Sequence, residues 1–518
     1  MTVTEEKLAK ENADLKEENA ELKRQLSVLK KMAFGSKSEK TKQVETNPEQ
    51  ISLFNEAETE QSVSAREEEK EIVVTGHSRK KKRTRDEIFK DLPVEEVIHE
   101  VEDKTCPECG TEMTVIGKEY LHEELVYVPA KVYRRKHYAE VVKCPDCGEY
   151  TEKSIGEKAV IVKGKAPETV LPQSYCSAEL LTHILYEKYA KAVPLERLSK
   201  DFRSMKAEIS TATLSNWVIE AADRYFRPVY EELHNQILSS SVIHADETVV
   251  QVLKEKDRKA TAESRMWVYC TEKIKLYEYR PTRKGQNAAE FLKGYSGYLV
   301  CDGYDGYNKL TEVTRCGCWA HARRKFLEAM PVDEELKKTS KAKEGFEKIN
   351  RIFELEREFK ELSKEERYDQ RQQQTKPVLD GFYAWLETIN PIQGSGLAKA
   401  VQYAKNEKKY LYAFLENSNI PIDNNLAERT VKPFVIGRKN WLFSTSPKGA
   451  EASAMIYSII NTAEANGLNP RDYLTEVFNN PDRLIYYILN IFNNKYSAIF
   501  THTFYRLYLN IYFLRKAL

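Results

Sequence analysis

Apolar and polar positions alternate along this chain in several distinct rhythms, and each predicts a different structure. At the N-terminus the rhythm is seven: Leu8, Leu15, Leu22 and Leu29 recur at heptad spacing. Placing them at position d puts Asn12, Asn19 and Leu26 at position a. Glu11 and Glu18 at g then face Lys16 and Lys23 at e of a parallel partner. This is a leucine-zipper pattern over residues 1–33, in which asparagine at a gives up stability to fix register and a two-stranded state. The expected assembly is a homodimer or a higher oligomer. From residue 34 the heptad disappears and Ser, Glu, Gln and Asn dominate, the composition of a polar and basic linker through residue 98. Its run Arg79-Lys80-Lys81-Lys82-Arg83-Thr84-Arg85 reads either as a set of phosphate contacts or as a solvated basic stretch.

The next rhythm is two. Between residues 99 and 155, Val- and Tyr-rich stretches such as Leu125–Val128 and Lys131–Arg135 are strand-like. They lie between two near copies of one knuckle, Cys106-Pro107-Glu108-Cys109-Gly110 and Cys144-Pro145-Asp146-Cys147-Gly148. Four thiolates at this spacing make a closed tetrahedral site for one structural zinc ion, and the segment reads as a zinc ribbon. A redox dithiol would not need two matched knuckles. Arg134 and Arg135 are candidate DNA contacts on it. Residues 171–238 turn to helical spacing. Two short helices, Leu195–Phe202 and one entered through Ile209–Asn216, suggest a helix-turn-helix-like DNA-binding segment. The competing reading is an ordinary bundle with Trp217 in its core.

Residues 239–330 change again. Val242–Val252 reads as a strand with Asp246 in its middle. Met266–Cys270 and Ile274–Tyr279 follow as strands, then Ala288–Leu292 as a helix. Tyr298–Tyr307 reads as a fourth strand ending at Asp302 in a Gly-rich turn, and Cys316–His321 as a fifth, followed by a helix from Arg323. Three strands, a helix, a strand, a strand and a helix is the order of a ribonuclease-H-like fold, in which the first and fourth strands are neighbours. Asp246 and Asp302 would then stand side by side, and two such carboxylates repel unless a cation lies between them. Hard oxygen ligands favour Mg²⁺ or Mn²⁺. A third acid on a later helix would complete a site for two ions acting on phosphorus.

Residues 331–419 are charged and helical in spacing, a helical insertion that returns the chain to the core at residues 420–480. There Glu428 is the candidate third acid. Asn425-x-x-Glu428 also fits a capping box, in which the glutamate only caps a helix. Glu247 falls on the opposite strand face and reads as structural, and Asp305 is the rival to Asp302. The fold class expected from the whole chain is a multidomain α/β protein: coiled coil, zinc ribbon, helical segment, then an interrupted ribonuclease-H-like domain.

Composition narrows the function little. At 518 residues and a net charge of +1, any basic surface must be local. Nine cysteines without an N-terminal export signal point to metal rather than disulfides. No apolar run is long enough to span a bilayer, so the expected location is cytoplasmic and nucleoid-associated.

The residues Asp246-Glu247-Thr248, Asp302-Gly303-Tyr304, Cys318-Trp319-Ala320-His321-Ala322-Arg323-Arg324-Lys325-Phe326, Asp423–Arg429 and Gly437–Phe443 carry a resemblance to the transposases of the insertion-sequence-sixty-six family. The domain order resembles theirs as well. The resemblance implies a DDE transposase that cleaves and joins DNA, with Asp246, Asp302 and Glu428 as metal ligands. It also implies binding to terminal inverted repeats and to target DNA, and help from two small proteins of the same element. Arg429, Lys432, Arg438 and Lys439 then read as a clamp on the DNA end, with Arg323 and Arg324 as further contacts. Cys318-x-x-His321 resembles a motif found between the second and third acids of several such enzymes. Residues 481–518 depart from the family. They are crowded with Ile, Tyr, Asn, Phe and Leu, and read either as read-through into neighbouring DNA or as an aromatic helix.

Overall fold

The computed structural model describes residues 132–138, 140–143, 161–163 and 169–480. The zipper, the linker, the four knuckle cysteines and the C-terminal tail lie outside the described residues. Two short strands, β1 (Val141–Lys143) and β2 (Ile161–Lys163), pair antiparallel.

Four helices come next: α1 (Ala178–Leu185), α2 (Leu195–Ser204), α3 (Thr211–Ala221) and α4 (Arg227–Ile237). Serines start two of them. Ser177 Oγ accepts from the Leu180 amide and Ser210 Oγ from the Thr213 amide, each satisfying an end group the helix cannot pair itself. Helices α2 and α3 pack across the intervening turn. Trp217 is buried on the inner face of α3 with Leu214 and Val218. This inner face belongs to the same apolar core as the sheet described next.

That sheet has five strands: β3 (Val242–Gln251), β4 (Glu263–Cys270), β5 (Lys275–Arg280), β6 (Tyr298–Val300) and β7 (Thr314–Cys316). Their order across the sheet is β5-β4-β3-β6-β7. The first three are antiparallel neighbours, and β3, β6 and β7 run parallel. Helix α5 (Gly285–Phe291) makes the crossover between β5 and β6. The first and fourth strands of the domain are therefore adjacent, as the element order implies.

Two strands differ from their expected spans. β6 pairs only as far as Val300, because Asp302 turns back to accept from the Tyr304 amide and a 3-10 turn follows. β7 comes earlier than Cys316–His321. The Gly317 amide leaves the sheet to bond the Tyr410 carbonyl, and α6 (Trp319–Glu328) begins at once. His321 thus lies in the first turn of a helix rather than on a strand.

The insertion carries α7 (Lys341–Glu358), α8 (Lys376–Glu387) and α9 (Gly396–Asn406). Its apolar faces form one core with the β6–β7 half of the sheet, where Val300, Cys316 and Trp319 meet Ile352, Phe382 and Leu411. The Trp319 indole donates to the Leu411 carbonyl at 2.9 Å. The insertion is therefore part of the body of the domain.

The chain returns through α10 (Asn425–Trp441), α11 (Pro447–Ala465) and α12 (Pro470–Asn479). α10 packs on β3 and β4, and α11 covers β5. β5 is an edge strand, and two of its outward amides are taken by α11. Ser458 Oγ accepts from the Tyr277 amide at 2.8 Å and Thr462 Oγ1 from the Lys275 amide at 3.0 Å. Hydroxyls on a helix thus finish an edge that would otherwise template further strand pairing. Gly437 lets α10 and α11 approach, since a Cβ there would lie 2.3 Å from the Tyr457 hydroxyl. Among the described residues no helix is long and apolar enough to cross a membrane.

Candidate active site

Asp246 sits in the middle of β3. The β3–β6 register pairs His244 with Val300. β6 ends there, and Asp302 follows two residues later in the turn beyond the sheet. Glu428 lies in the first turn of α10, which crosses β3 and β4. A turn and a helix distant in sequence thus bring Asp302 and Glu428 close enough for their charges to act on Asp246.

The electrostatics reflect this convergence. Burial pushes the Asp246 carboxyl well above its ordinary range. The Glu247 charge adds to the rise, and the charges of Asp302 and Glu428 add further. A hydrogen bond from the Glu247 amide to Asp246 Oδ1, at 2.8 Å, works the other way. Burial and these neighbouring charges all disfavour ionisation of Asp246, and a cation beside it would work the other way.

The rival acids differ in their surroundings. Glu247 pairs with Arg283 at 2.5 Å and accepts from the Tyr307 hydroxyl at 3.0 Å, while burial and the Asp302 charge raise its carboxyl pKa. Asp305 is exposed, in the 3-10 turn. The capping-box alternative for Glu428 is also not what the helix does. The N-cap is Asn424, one residue earlier than that pattern requires, and its side chain makes no capping bond. The Asn425 amide is instead satisfied by Asp423 Oδ1 at 3.0 Å.

Glu428 is held loosely. Arg324 Nη2 lies 3.5 Å from Oε2, and His321 Nε2 lies 3.7 Å from Oε1. Glu428 Oε1 and His321 Nδ1 are buried without a hydrogen-bond partner. Burial lowers the His321 pKa against the pull of Glu428. Among the described residues no three histidine, cysteine or acidic side chains already close around a point where one ion would sit. The donor chemistry nonetheless fits a hard divalent ion: three carboxyls, one with an orphaned buried oxygen and one acted on by the charges of the other two.

The basic candidates divide into two groups. Arg429 and Lys439 are exposed on α10, and Arg134 and Arg135 are exposed ahead of β1. Lys432 is half-buried on α10. Arg438 is turned inward, donating to Thr248 Oγ1 at 3.1 Å and to the Val249 carbonyl. Arg323 donates to Asn350 Oδ1 at 2.5 Å and lies over the Phe346 and Phe353 rings, tying α6 to α7.

Several residues that hold the acids carry no motif of their own. His244 and Asn424 join β3 to the start of α10, and Arg315 and Glu407 join β7 to the insertion. Asn424 falls inside the Asp423–Arg429 stretch, the one sequence signal that pointed near it.

Comparison with known proteins places the chain in a class and then in a family. Three models of transposase segments match it in order. The model described as Transposase C of IS166 homeodomain matches residues 21–97, and the zinc-finger binding domain of transposase IS66 matches residues 103–158. The model described as Transposase IS66 family matches residues 173–452, more than half of the chain. The chain belongs to the IS66 transposase family. It is also similar to three proteins of Sinorhizobium fredii. Uncharacterized protein y4hP is 27% identical over 400 residues, 72% of this chain and 70% of that protein. Uncharacterized protein y4jD is 28% identical over 408 residues, 75% and 76% of the two chains. Uncharacterized protein y4qI is 26% identical over 476 residues, 86% and 83% of the two.

Proposed function

We propose that this chain is a DDE transposase that binds the terminal inverted repeats of its element, cuts the donor ends and joins their 3′-hydroxyls to target DNA. The observation that carries this reading is the adjacency of β3, which holds Asp246, to β6, which leads into Asp302, with α10 and its Glu428 packed across β3. Support for a ribonuclease-H-like core comes from the sheet order, three antiparallel strands followed by two parallel ones.

In this reading Asp246, Asp302 and Glu428 hold two divalent ions, Mg²⁺ or Mn²⁺. Ions there would activate the attacking water or 3′-hydroxyl and stabilise the leaving oxygen of an in-line displacement. The protein's own part is placement. β3 fixes Asp246 within a ladder, the turn after β6 presents Asp302, and the first turn of α10 presents Glu428. Arg324 neutralises part of the Glu428 charge. Arg429 and Lys439, exposed on the helix that carries Glu428, are set to meet the phosphates of the end being cut. Cys106, Cys109, Cys144 and Cys147 hold one structural zinc ion, a reading supported by the zinc-finger match over residues 103–158. The zipper pairs two copies, and two small proteins of the element assist.

The test is strand transfer in vitro with terminal-repeat DNA and Mn²⁺. The wild-type chain should nick and join, and Asp246→Asn should abolish both while sparing end binding. Binding without nicking would make the chain a DNA-binding regulator of transposon origin. Nicking without joining would make it a ribonuclease-H-like nuclease.

A further inference from the structure

Asp302 has the weakest local support of the three acids. The β6 ladder ends at Val300, so Asp302 stands on a turn beyond the sheet. A carboxylate on such a turn is placed only as well as the turn itself is held. The hold comes from an unexpected direction, the helical insertion. Arg315 on β7 is buried, with its side chain 4% exposed, and its Nη2 donates to the Asp302 carbonyl at 2.9 Å. The same Nη2 donates to Glu407 Oε2 at 2.6 Å, and Nη1 donates to Asn308 Oδ1 at 2.5 Å. The guanidinium also stacks on the Tyr410 ring, 4.0 Å from its centre. Glu407 directly follows α9. One turn earlier on α9, the Tyr403 ring lies against the same turn, where a Cβ on Gly303 would stand 2.7 Å from it.

We infer that Arg315, Glu407 and Tyr403 form a positioning clamp through which the helical insertion sets Asp302 for metal binding. The inference rests on the reading of Asp302 as a metal ligand. Stability alone does not account for a buried arginine–glutamate pair at this place, because well-packed apolar residues of similar size generally serve a core as well or better. What the pair provides is direction. A planar guanidinium with a fixed fork of donors aims one N–H at the Asp302 carbonyl, and Glu407 holds that fork still. Gly303 admits the Tyr403 ring, which packs directly against the turn. The insertion, whose first helix opens at Glu334, thereby completes the site without supplying a ligand.

The experiment uses the full zinc-loaded chain and two variants. Arg315→Met/Glu407→Leu replaces the pair by apolar residues. Tyr403→Ala removes the other jaw and leaves the pair intact. Mn²⁺ binding is read by calorimetry against Asp302→Asn as the blank, beside thermal melting, end-DNA binding and Mn²⁺-dependent nicking. Both variants should melt cooperatively and bind terminal-repeat DNA within about two-fold of wild type. Both should bind Mn²⁺ at least about ten-fold more weakly, and nicking should fall by about a hundred-fold, the scale of a misplacement near 1 Å. Wild-type Mn²⁺ affinity in either folded variant overturns the clamp. Should the double variant fail to fold, Tyr403→Ala decides alone. A wild-type chain whose Mn²⁺ isotherm equals that of Asp302→Asn overturns the metal-site reading, and the clamp with it.

Discussion

Asn424 Oδ1 lies 2.9 Å from His244 Nδ1, and the same side chain donates through Nδ2 to the Ala245 carbonyl at 2.8 Å. One buried amide thus joins the residue before α10 to β3 next to Asp246, across 180 positions of sequence. Its backbone amide is taken by Cys318 Sγ at 3.2 Å, so the N-terminus of α6 is drawn into the same knot. The segments that bring Glu428, His321 and Asp246 together meet at this asparagine. Asn424→Ala should leave a buried imidazole N–H and a buried carbonyl without partners. We expect a loss of about 2–3 kcal/mol, read as a lower urea midpoint at unchanged m-value. A midpoint equal to wild type would remove Asn424 from this role.

The same contact fixes a pH dependence. Because Asn424 Nδ2 donates to Ala245, its Oδ1 is the acceptor, and His244 Nδ1 carries the proton of a neutral ring. Burial drives the His244 pKa down to about 4, helped by the charges of Lys275 and Arg429 and opposed by the Asn424 bond. The unfolded chain takes up this proton near pH 6.5, before the folded chain does. The contribution of His244 is therefore complete above pH 6.5 and falls as pH drops from 6.5 toward 4. The window is worth roughly 3 kcal/mol. Subtracting the unfolding free energy of His244→Gln from that of wild type cancels the other titrating groups. That difference should shrink as pH falls through the window, and a flat difference would refute the assignment.

Much of the scaffold was legible because it is written in short-range patterns. β3, β4 and β5 are spelled by alternating and β-branched residues, whereas α10 has its N-cap at Asn424, one residue before the capping-box pattern would start it. Asp246 was legible for the same reason, as an acid in the middle of an apolar strand. β6 was read too long because Tyr304 and Tyr307 look like strand residues. The Asp302 side chain ends the strand by bonding the Tyr304 amide, a local contact that alternation does not register. Trp319–His321 was read as strand because its apolar residues continue β7, whereas the Gly317–Tyr410 bond pulls the chain out of the sheet first. The partners of the acids were illegible for a different reason. His244 meets Asn424, and Arg315 meets Glu407, only once the sheet and insertion are assembled.

Arg438 and Lys439 are neighbours in sequence with opposite expected roles. Arg438 is turned onto β3, bonded to Thr248 and Val249. Arg438→Ala should lower the unfolding free energy by about 1–2 kcal/mol by freeing a strand carbonyl and a hydroxyl. Lys439 is exposed. Lys439→Ala should leave stability within about 0.5 kcal/mol. It should also reduce the slope of log K against log salt for end binding by about 1. Denaturant unfolding and salt-dependent binding on both variants separate the two residues. An unchanged slope for Lys439→Ala would take it out of the DNA-facing set.

The insertion has its own anchor in Arg371, whose side chain is 1% exposed. Nε and Nη2 reach the two carboxylate oxygens of Glu356 on α7, at 2.8 and 2.7 Å. Nη1 donates to the Phe414 and Asn417 carbonyls and Nη2 to the Ile420 carbonyl, at 2.8, 3.0 and 2.9 Å. The Phe414 ring lies 5.0 Å from the guanidinium. One side chain thereby fastens α7 to the segment that carries the chain back toward Glu428. Arg371→Leu puts a smaller apolar side chain there and removes every donor. It strands the Glu356 carboxylate, only 13% exposed, together with three carbonyls. Breaking a buried pair from one side typically costs about 3–5 kcal/mol. Arg371→Lys keeps the charge but cannot reach a carboxylate and three carbonyls from one ammonium, so it should recover only part of the loss. Because the insertion and the β6–β7 half of the sheet share one core, the loss should appear in a single cooperative transition. A separate early transition confined to the insertion would show instead that it unfolds on its own.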